Sequence, residues 1–506
     1  MVVTRSAARK ISSWDRLLLA QKLTTPQAVL LIIATGSLLR LVLAHAVGLG
    51  VDESYMAGIS RQFHWSYFDH PPLHAWLAGG WAEIFGESPL ALRLPFIVLF
   101  AGTTWLMYAL TAEAYGERAG LWAVIAFSLA PVFTLSTASW VLPDGPLMFF
   151  LLLAAVLTRR ALTAANDSAA WLYWLGAGAA GGLAMLSKYL AIFFFAGAGL
   201  YLLTSQAYRL WLTRPQPWAG IALACLIFAP VIVWNVQNDF ASFAFQGVRA
   251  RPESLKMTWL LQGIGGQLLY LMPWIAIALF IAIIKAVPGR QPPDSFFVLL
   301  SAPAIGIFLV LAFVTRILPH WAMAGWLFAF PLLGRDLAAL AAGQARILKY
   351  VTVATTALLI GFFALAATQA QSGWASRYIV SKKDPTIDLY DWRDLAALVA
   401  ERNLVPTNGF IAAGHWIEAG KINYALADKA AVLCLCDDPR GFAFLHDRGD
   451  YVGTNALLLS RQPERITALG AYFNSTQSLP DIVLTRAGHP AITLKAALGL
   501  NLKAAP

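Results

Sequence analysis

The sequence is poor in charge and has only three cysteines among 506 residues. Charged residues make up 13% of the chain, hydrophobic residues make up 58%, and the mean hydropathy is +0.62. A soluble protein carries about 25% charged residues, so the composition excludes a chain that is soluble throughout. A disulfide framework is excluded as well, because Cys225 lies in an apolar segment and Cys434 and Cys436 are too close together for a relaxed bridge.

Long apolar runs dominate the first three quarters of the chain. A helix needs about 20 apolar residues to cross a bilayer, and runs of suitable length predict about eleven transmembrane helices. They lie near residues 27–47, 95–112, 119–137, 145–158, 171–186, 189–204, 217–234, 258–284, 295–314, 320–334 and 349–370.

Loop charges predict how these spans are oriented. With a cytoplasmic N-terminus, fifteen Lys and Arg residues fall in cytoplasmic segments and seven in the opposite loops, which is the expected bias. Residues 1–26 are predicted to be a basic cytoplasmic lead-in to an uncleaved signal anchor, and a bacterial inner membrane fits this pattern. The net charge of +10 is spread over membrane loops, so the pattern does not indicate a nucleic-acid partner.

The chain is predicted to have two domains. Residues 1–370 form a transmembrane catalytic domain with long periplasmic loops at 48–94 and 235–257. After residue 371 no further span appears, and residues 371–506 are predicted to form a small, soluble, periplasmic α/β domain. Its predicted elements are strands at 409–413 and 431–435 and a helix at 415–427.

Several carboxylates fall on the outer face in this topology. Asp52 and Glu53 follow the first span, Asp69 and His70 precede Pro71-Pro72, and Asp144 lies in the turn between spans three and four. Charges at membrane depth are tolerated where they face a cavity or a partner. Their convergence on one face predicts a single site.

The few cations on the same face are exceptions to the positive-inside tendency. Lys188 lies in a short turn, Arg249 in the loop 235–257, and Arg316 before the next span. Cations beside carboxylates suit an anionic lipid headgroup, with Arg offering two parallel hydrogen bonds to phosphate. The alternative, contact with bulk lipid phosphate, stays open, above all for Arg251 and Lys256.

A transfer reaction at such a site requires a base and a group that stabilises the departing phosphate. Asp52 is the first candidate for the base, especially if desolvation raises its pKa, and Glu53 either shares the chemistry or holds the loop. Cations or a divalent metal can neutralise the leaving group.

Two histidine-containing segments leave their roles open. Asp69, His70 and His74 are possible metal ligands, but Asp69 or His70 could equally cap the helix that Pro71 opens. His320, beside Trp321, is either an interface anchor or a site residue.

These residues resemble the GT-C superfamily of polyprenyl-phosphate-sugar-dependent glycosyltransferases. The relevant branch contains protein O-mannosyltransferases and the lipid A aminoarabinose and galacturonic acid transferases. Asp52-Glu53-Ser54-Tyr55 is similar to the Asp-Glu box of its first loop, Asp69-His70-Pro71-Pro72-Leu73 to its acidic Pro-Pro-Leu box, and Asp144 to its second-loop Asp. Phe245-Gln246-Gly247-Val248-Arg249, Gly265-Gly266-Gln267 and Pro319-His320-Trp321 are similar to later features.

The resemblance implies a GT-C-like fold and an inverting sugar transfer from a polyprenyl monophosphate at the periplasmic face. Asp52 would be the essential carboxylate, with Asp144 a second one and Glu53 beside them. Some lipid A transferases bind a metal through an acidic residue that Asp69 matches. Their next residue is Lys where this chain has His70, so the cofactor stays open between none and a divalent metal. Candidate substrate-binding residues are Tyr55, His70, Lys188, Tyr189, Arg249, Arg316 and His320.

The acceptor prediction favours a lipid, similar to lipid A, or a lipid-linked glycan. The chain has no loop long enough for the sugar-binding β-trefoil of eukaryotic-type protein mannosyltransferases, although protein O-glycosylation stays the alternative. A membrane transporter or flippase is the alternative outside the enzymes. A transporter would place ionisable residues near the bilayer midplane and show two related halves, which this sequence does not.

Overall fold

The computed structural model describes residues 23–287, 292–376, 378, 384–390, 392–427 and 429–504. Most of the predicted lead-in at 1–26 therefore lies outside the described residues. The described chain is mainly helical and ends in a small sheet. This confirms the predicted fold class, a helical membrane protein with a C-terminal α/β part.

The membrane part is a succession of helices that begins at Thr25. Its helices are α1 (Thr25–Ala46), α2 (Val51–Ser60), α3 (Leu73–Phe85), α4 (Pro89–Tyr115), α5 (Glu117–Ser128), α6 (Asp144–Leu162), α7 (Asp167–Ser187), α8 (Ile192–Thr204), α9 (Pro215–Gln237), α10 (Ala241–Arg249), α11 (Met257–Leu271), α12 (Pro273–Ala286), α13 (Asp294–Leu311), α14 (Met323–Trp326) and α15 (Phe330–Ser372).

The predicted count of eleven spans is not confirmed. Among the described residues, seven helical segments are long and apolar enough to cross a membrane, or eight if the bent pair α11 and α12 counts as one. Two predicted spans, 320–334 and 349–370, lie within one helical stretch from Pro319 to Ser372, which is interrupted by a non-helical residue at Gln344. A hydropathy window cannot separate a kinked helix from two spans.

Local sequence explains where several of these helices begin and bend. The Ser88 hydroxyl accepts a hydrogen bond from the Ala91 N–H and Pro89 follows, which is a typical start for α4. Asn166 caps α7 in the same way through the Ala169 N–H. Between α11 and α12 the chain turns by 103°, because Met272 has a positive φ and Pro273 starts a new helix.

The core of the membrane part is formed by helices that pack closely along the chain. Helix α7 packs between α6 and α9, and α15 packs on α5. A Cβ atom at Gly178 would lie 2.0 Å from the carbonyl oxygen of Gly220, so the contact of α7 with α9 requires glycine. Small residues at helix crossings are typical of membrane bundles.

The two long predicted loops contain helices. In the segment 48–94, the helices α2 and α3 are separated by the Phe68 to Pro72 turn, and α3 begins at Leu73, just after Pro71-Pro72. In the segment 235–257, residues Ala241–Arg249 form the strongly amphipathic helix α10.

The C-terminal part contains one mixed five-stranded sheet with the order β2-β1-β3-β5-β4. Its strands are β1 (Phe410–Ala413), β2 (Val432–Cys434), β3 (Ala456–Ser460), β4 (Phe473–Arg486) and β5 (His489–Leu502), and its helices are α16 (Asp394–Glu401), α17 (Trp416–Leu426) and α18 (Pro463–Gly470). Strands β1, β2 and β3 are parallel and wholly buried, as a covered parallel sheet requires. The free thiols of Cys434 and Cys436 lie 3.0 Å apart.

The sheet part is docked on the helices that follow the first span. Helix α17 packs on α2, and one hydrophobic core contains residues of both parts. The Lys421 ammonium donates to the carbonyl oxygens of Leu49 and Asp388 at 2.5 and 2.8 Å. The boundary predicted at 370/371 stays a prediction, but the shared core shows that the two parts are packed as one body.

Candidate active site

Helix α2 presents the Asp52-Glu53 pair. Gly50 precedes the helix, and its N–H donates to the Glu53 carboxylate at 2.9 Å, which satisfies a backbone group left free at the helix start. Acidic residues in a first turn also interact favourably with the helix dipole. Adjacent helical positions point in different directions. Asp52 is therefore exposed to a cavity, whereas Glu53 is buried.

Glu53 is held by an arginine to which the sequence assigned no role. Arg93, the fifth residue of α4, donates to the two Glu53 oxygens at 2.8 and 2.6 Å, and both side chains are buried. Val141 N–H donates to the same carboxylate at 3.2 Å. The Glu53 carboxylate therefore accepts hydrogen bonds from three segments of the chain, through Gly50, Arg93 and Val141. The alternative in which Glu53 holds the loop fits this geometry better than a catalytic role.

Asp52 lies among three cations. It is exposed on the cavity side and enclosed by protein on its other sides. Desolvation therefore raises the pKa of its carboxyl above the ordinary value, and the positive charges of Arg440, Arg249 and Lys188 oppose this increase. A carboxylate with a raised pKa is better matched to proton transfer near neutral pH.

An apolar cavity of about 1350 Å³ reaches Asp52. Its walls come from α1, α4, α5, α15 and the segment 384–389, and are almost entirely hydrocarbon. Ligand pockets for small molecules measure about 300–1,000 Å³, so this cavity is large enough for hydrocarbon chains. Arg40 lies on its wall and donates to the Thr134 carbonyl oxygen at 3.3 Å.

Asp144 and Lys188 form a buried ion pair. The Lys188 ammonium donates to both Asp144 oxygens, at 2.8 and 2.9 Å. Asp144 is the first residue of α6 and Lys188 follows the last residue of α7, so the pair joins two antiparallel helices at the same end. His320 lies close enough for its charge to interact with both. The structure therefore brings these three predicted residues together.

Asp69 is buried and hydrogen-bonded to Tyr55. The Tyr55 hydroxyl donates to one Asp69 oxygen at 2.5 Å. Burial raises the pKa of Asp69 to about 6, although Tyr55 and the charge of Arg440 act in the opposite direction. The capping alternative was wrong, because α3 begins after Pro72 with no side-chain cap.

The segment around His70 does not offer a metal-binding set. Both ring nitrogens of His74 are engaged, by the Pro71 carbonyl oxygen at 3.1 Å and the Met56 sulfur at 3.0 Å. Asp69 faces Tyr55 on one side and a guanidinium on the other. Within the described part of the chain, no group of three His, Cys, Asp or Glu residues could hold a metal. A divalent ion at Asp69 does not fit these residues.

Helix α10 brings Arg249 into the site. The Arg249 guanidinium lies 5.3 Å from the ring centre of Phe245 and 5.0 Å from that of Trp321. Its pKa is lowered by burial and by the charge of Arg440. At the other end of the helix, the hydroxyls of Tyr189 and Ser242 are hydrogen-bonded at 2.7 Å, so Tyr189 holds the helix in place.

Two predicted binding residues have different surroundings. His70 is half-buried, its Nδ1 atom has no hydrogen-bond partner, and burial followed by the charge of Lys188 lowers its pKa. Arg316 is exposed. Among the described residues, no hydrogen bond, ion pair or ring contact joins Arg316 to the cluster, and its assignment as a binding residue stays a prediction.

Sequence reasoning missed the contribution of the C-terminal part. Arg440 forms an ion pair with Asp69 at 3.5 Å and lies 3.7 Å from the ring centre of Trp416. The next residue, Gly441, donates its N–H to the Tyr55 hydroxyl at 2.8 Å. No sequence pattern connects these residues with Asp69 and Tyr55, because more than three hundred positions separate them.

The chain is similar to known proteins. Residues 69–234 match the family model described as dolichyl-phosphate-mannose-protein mannosyltransferase. Over 318 residues the chain is 26% identical to the lipid A galacturonosyltransferase RgtD of Rhizobium johnstonii. The aligned region covers 60% of this chain and 64% of the relative. The chain therefore spans just under two thirds of that relative's length.

Solved structures share the fold. The structure of ArnT from Cupriavidus metallidurans bound to undecaprenyl phosphate matches with a TM-score of 0.66 at 17% identity, covering 92% of this chain and 97% of that one. The apo state of ArnT matches with a TM-score of 0.63 at 16% identity, covering 94% and 98%. These matches show that the chain has the fold of these solved structures.

Proposed function

We propose that this chain is a GT-C glycosyltransferase that transfers a sugar from a polyprenyl monophosphate to a lipid acceptor similar to lipid A. The observation that carries the proposal is the position of Asp52. Its carboxylate lies on the wall of a large apolar cavity and within the field of Lys188, Arg249 and Arg440. An amphiphilic substrate with an anionic headgroup fits both surroundings.

Asp52 is the proposed base. As the acceptor hydroxyl attacks the anomeric carbon, its proton passes to Asp52, the new glycosidic bond forms, and the bond between that carbon and the phosphate oxygen breaks. The electron pair of the broken bond stays on the departing polyprenyl phosphate. A single displacement of this kind inverts the anomeric configuration. The raised pKa of Asp52 supports this role.

The leaving phosphate requires positive charge. Arg249 is half-buried with no carboxylate within salt-bridge distance among the described residues, so its donors are available for an anion. Lys188 is already bound to Asp144 through both carboxylate oxygens. We therefore assign Asp144 a positioning role, in which it orients Lys188 beside the phosphate, and Lys188 contributes its charge to the site.

The cavity supports a lipid substrate. Its polar end holds Asp52, and its hydrophobic walls run along α1 and α15, which are exposed over much of their length. A hydrocarbon chain from the bilayer fits such walls without desolvation cost. A lipid acceptor in this cavity would carry its hydroxyl to Asp52, while the donor phosphate lies on the side of the cations.

The orientation belongs to the same proposal. The bias of loop charges supports a cytoplasmic N-terminus, with the active site and the C-terminal domain on the periplasmic face of a bacterial inner membrane. Asp52, Asp144 and Lys188 then lie at the same end of the helices, at the start of α2, at the start of α6 and after the end of α7.

The test is a transfer assay with purified protein in lipid nanodiscs. Radiolabelled polyprenyl-phosphate sugars, including a galacturonic acid donor, are offered with lipid A-type acceptors, and Asp52→Asn is compared with the exposed control Asp481→Asn. We expect transfer by the wild type and the control and its loss, by about 10²-fold or more, in Asp52→Asn. Unchanged transfer in Asp52→Asn would refute the role of Asp52, and transfer only to a polypeptide acceptor would support protein O-glycosylation instead.

A further inference from the structure

Two guanidinium groups from different domains meet at one aromatic ring. The centre of the Phe245 ring lies 5.3 Å from the Arg249 guanidinium and 5.8 Å from that of Arg440. The positive charge of each guanidinium disfavours the charged form of the other. The charge of Arg440 accordingly contributes to the lowered pKa of Arg249. An anion bound between them would remove this repulsion.

Arg440 is held in a defined orientation. Its guanidinium stacks on Trp416 with 3.7 Å to the ring centre, and Asp438 lies 3.5 Å from its Nε atom. The backbone of Arg440 has a φ of 51°, which is unfavourable for a residue with a side chain. The following N–H, from Gly441, donates to Tyr55. A strained backbone conformation that is held by its surroundings is typical of functional sites.

Arg440 and Asp69 each have a buried polar atom without a hydrogen bond. Arg440 Nε and Asp69 Oδ2 are buried and have no hydrogen-bond partner. The Arg440 to Asp69 contact, at 3.5 Å, is longer than the 2.7–2.9 Å of a direct charged hydrogen bond. Buried polar atoms without a partner are rare. Arg440 Nε and Asp69 Oδ2 make only long ion-pair contacts, to Asp438 and to Arg440 respectively, each at 3.5 Å. A ligand that accepts from a guanidinium and donates to a carboxylate would give both atoms a direct hydrogen bond.

We propose that Arg440 binds the phosphate of the polyprenyl-linked donor together with Arg249, so that the C-terminal domain supplies the second cation of the active site. This inference rests on the proposed function. Phosphate oxygens accept from both guanidinium groups, and a hydroxyl of the attached sugar can donate to Asp69. Arg440 also occupies the side of Asp69 where a divalent metal would have to bind, and thus takes over its electrostatic role in this chain.

The chemistry requires no further reactant. When the bond between the anomeric carbon and the phosphate oxygen breaks, the electron pair remains on that oxygen, and the N–H donors of Arg440 and Arg249 stabilise the added charge. Of the charges that act on Asp52, that of Arg440 has the largest effect. The same guanidinium therefore keeps the base ionised and the leaving group stable.

The test measures binding of polyprenyl monophosphate, without sugar, to the full-length protein in nanodiscs. Arg440→Gln removes the charge, Arg440→Lys keeps it, and Arg402→Gln changes an exposed arginine of the same domain. We expect binding to weaken by about tenfold to a hundredfold in Arg440→Gln, to recover in part in Arg440→Lys, and to be unchanged in Arg402→Gln. Lys recovers only part because it cannot form two parallel hydrogen bonds.

The outcomes separate this inference from the proposed function. Asp52→Asn should bind polyprenyl phosphate at least as tightly as wild type, because it removes a negative charge near the phosphate, while it loses transfer. If wild type binds no polyprenyl phosphate, the proposed function fails. If wild type binds it and Arg440→Gln, with an unchanged melting temperature, binds it equally well, only the role of Arg440 is refuted. Loss of binding after treatment with a chelator, restored by a divalent metal, would also refute the replacement of a metal by Arg440.

Discussion

Arg93 binds both carboxylate oxygens of Glu53, at 2.8 and 2.6 Å, and both side chains are buried. The same guanidinium donates to the carbonyl oxygens of Val47 and Gly48, at 2.7 and 2.8 Å, in the segment that joins α1 to α2. The pair therefore anchors the start of α2, and with it the neighbouring Asp52, to helix α4. The two adjacent carboxylates therefore have different surroundings, because Glu53 is buried against Arg93 and Asp52 is exposed to the cavity.

Substitution of the two carboxylates should separate stability from activity. Glu53→Gln leaves the Arg93 charge buried without its partner, which costs about 3–5 kcal/mol of stability, whereas Asp52→Asn should change the melting temperature little and abolish transfer. Thermal unfolding and sugar transfer are measured for both variants. A Glu53→Gln protein that melts like wild type but has no transfer activity would instead make Glu53 a catalytic residue.

The Asp144 and Lys188 pair should show strong coupling. Lys188→Met or Asp144→Asn alone leaves a buried group unpaired, while the double variant removes both, so its destabilisation should be smaller than the sum by about 0.5–3 kcal/mol. The exposed pair of Asp481 and Lys495, 2.7 Å apart, should give a coupling of about 0–1 kcal/mol. Additive effects at Asp144 and Lys188 would contradict the pairing.

Asp69 should make stability depend on pH. Because burial raises its pKa to about 6, the folded protein holds this proton more tightly than the unfolded chain, in which the pKa of Asp is about 4. The stability from this proton is fully present below about pH 4 and is lost as the pH rises through about 6. The melting temperature of wild type relative to Asp69→Asn should fall over this range. A difference that grows with pH would contradict the raised pKa.

The rate of transfer should depend on the protonation of Asp52. Since its pKa is raised, kcat/KM should decline on the acid side with an apparent pKa above about 3.9, the ordinary value for Asp. Arg440 lowers the pKa of Asp52, so Arg440→Gln should move the acid limb to higher pH. Profiles of kcat/KM from pH 4 to 8 measure both effects. An acid limb that does not move in Arg440→Gln would place Arg440 away from Asp52.

The proposed orientation can be tested with two matched substitutions. Ser254→Cys lies in the exposed segment after α10, and Ser168→Cys lies in the exposed first turn of α7, at the opposite ends of the membrane helices. In a background without native cysteines, a membrane-impermeant maleimide should label residue 254 from the periplasm and residue 168 only after the membrane is permeabilised. The reverse pattern would invert the topology and put the active site in the cytoplasm.

Much of the fold could be predicted because hydropathy and charge act locally. Apolar runs predicted the membrane helices, and alternation of apolar segments with turn residues predicted β1, β2 and α17 close to their observed bounds. The span count was less accurate, because the bend at Met272 and the kink at Gln344 depend on backbone conformations that no hydropathy window measures.

The sequence by itself determined which residues share one face of the membrane. Because each span reverses the side of the chain, Asp52, Asp144, Lys188 and Arg249 could be assigned to one site without coordinates. Only the tertiary structure decided how these groups are paired. It paired Glu53 with Arg93 and Asp144 with Lys188, and it brought Arg440 from the C-terminal part of the chain to Asp69. Ion pairs over such distances depend on domain packing, which no local pattern of residues encodes.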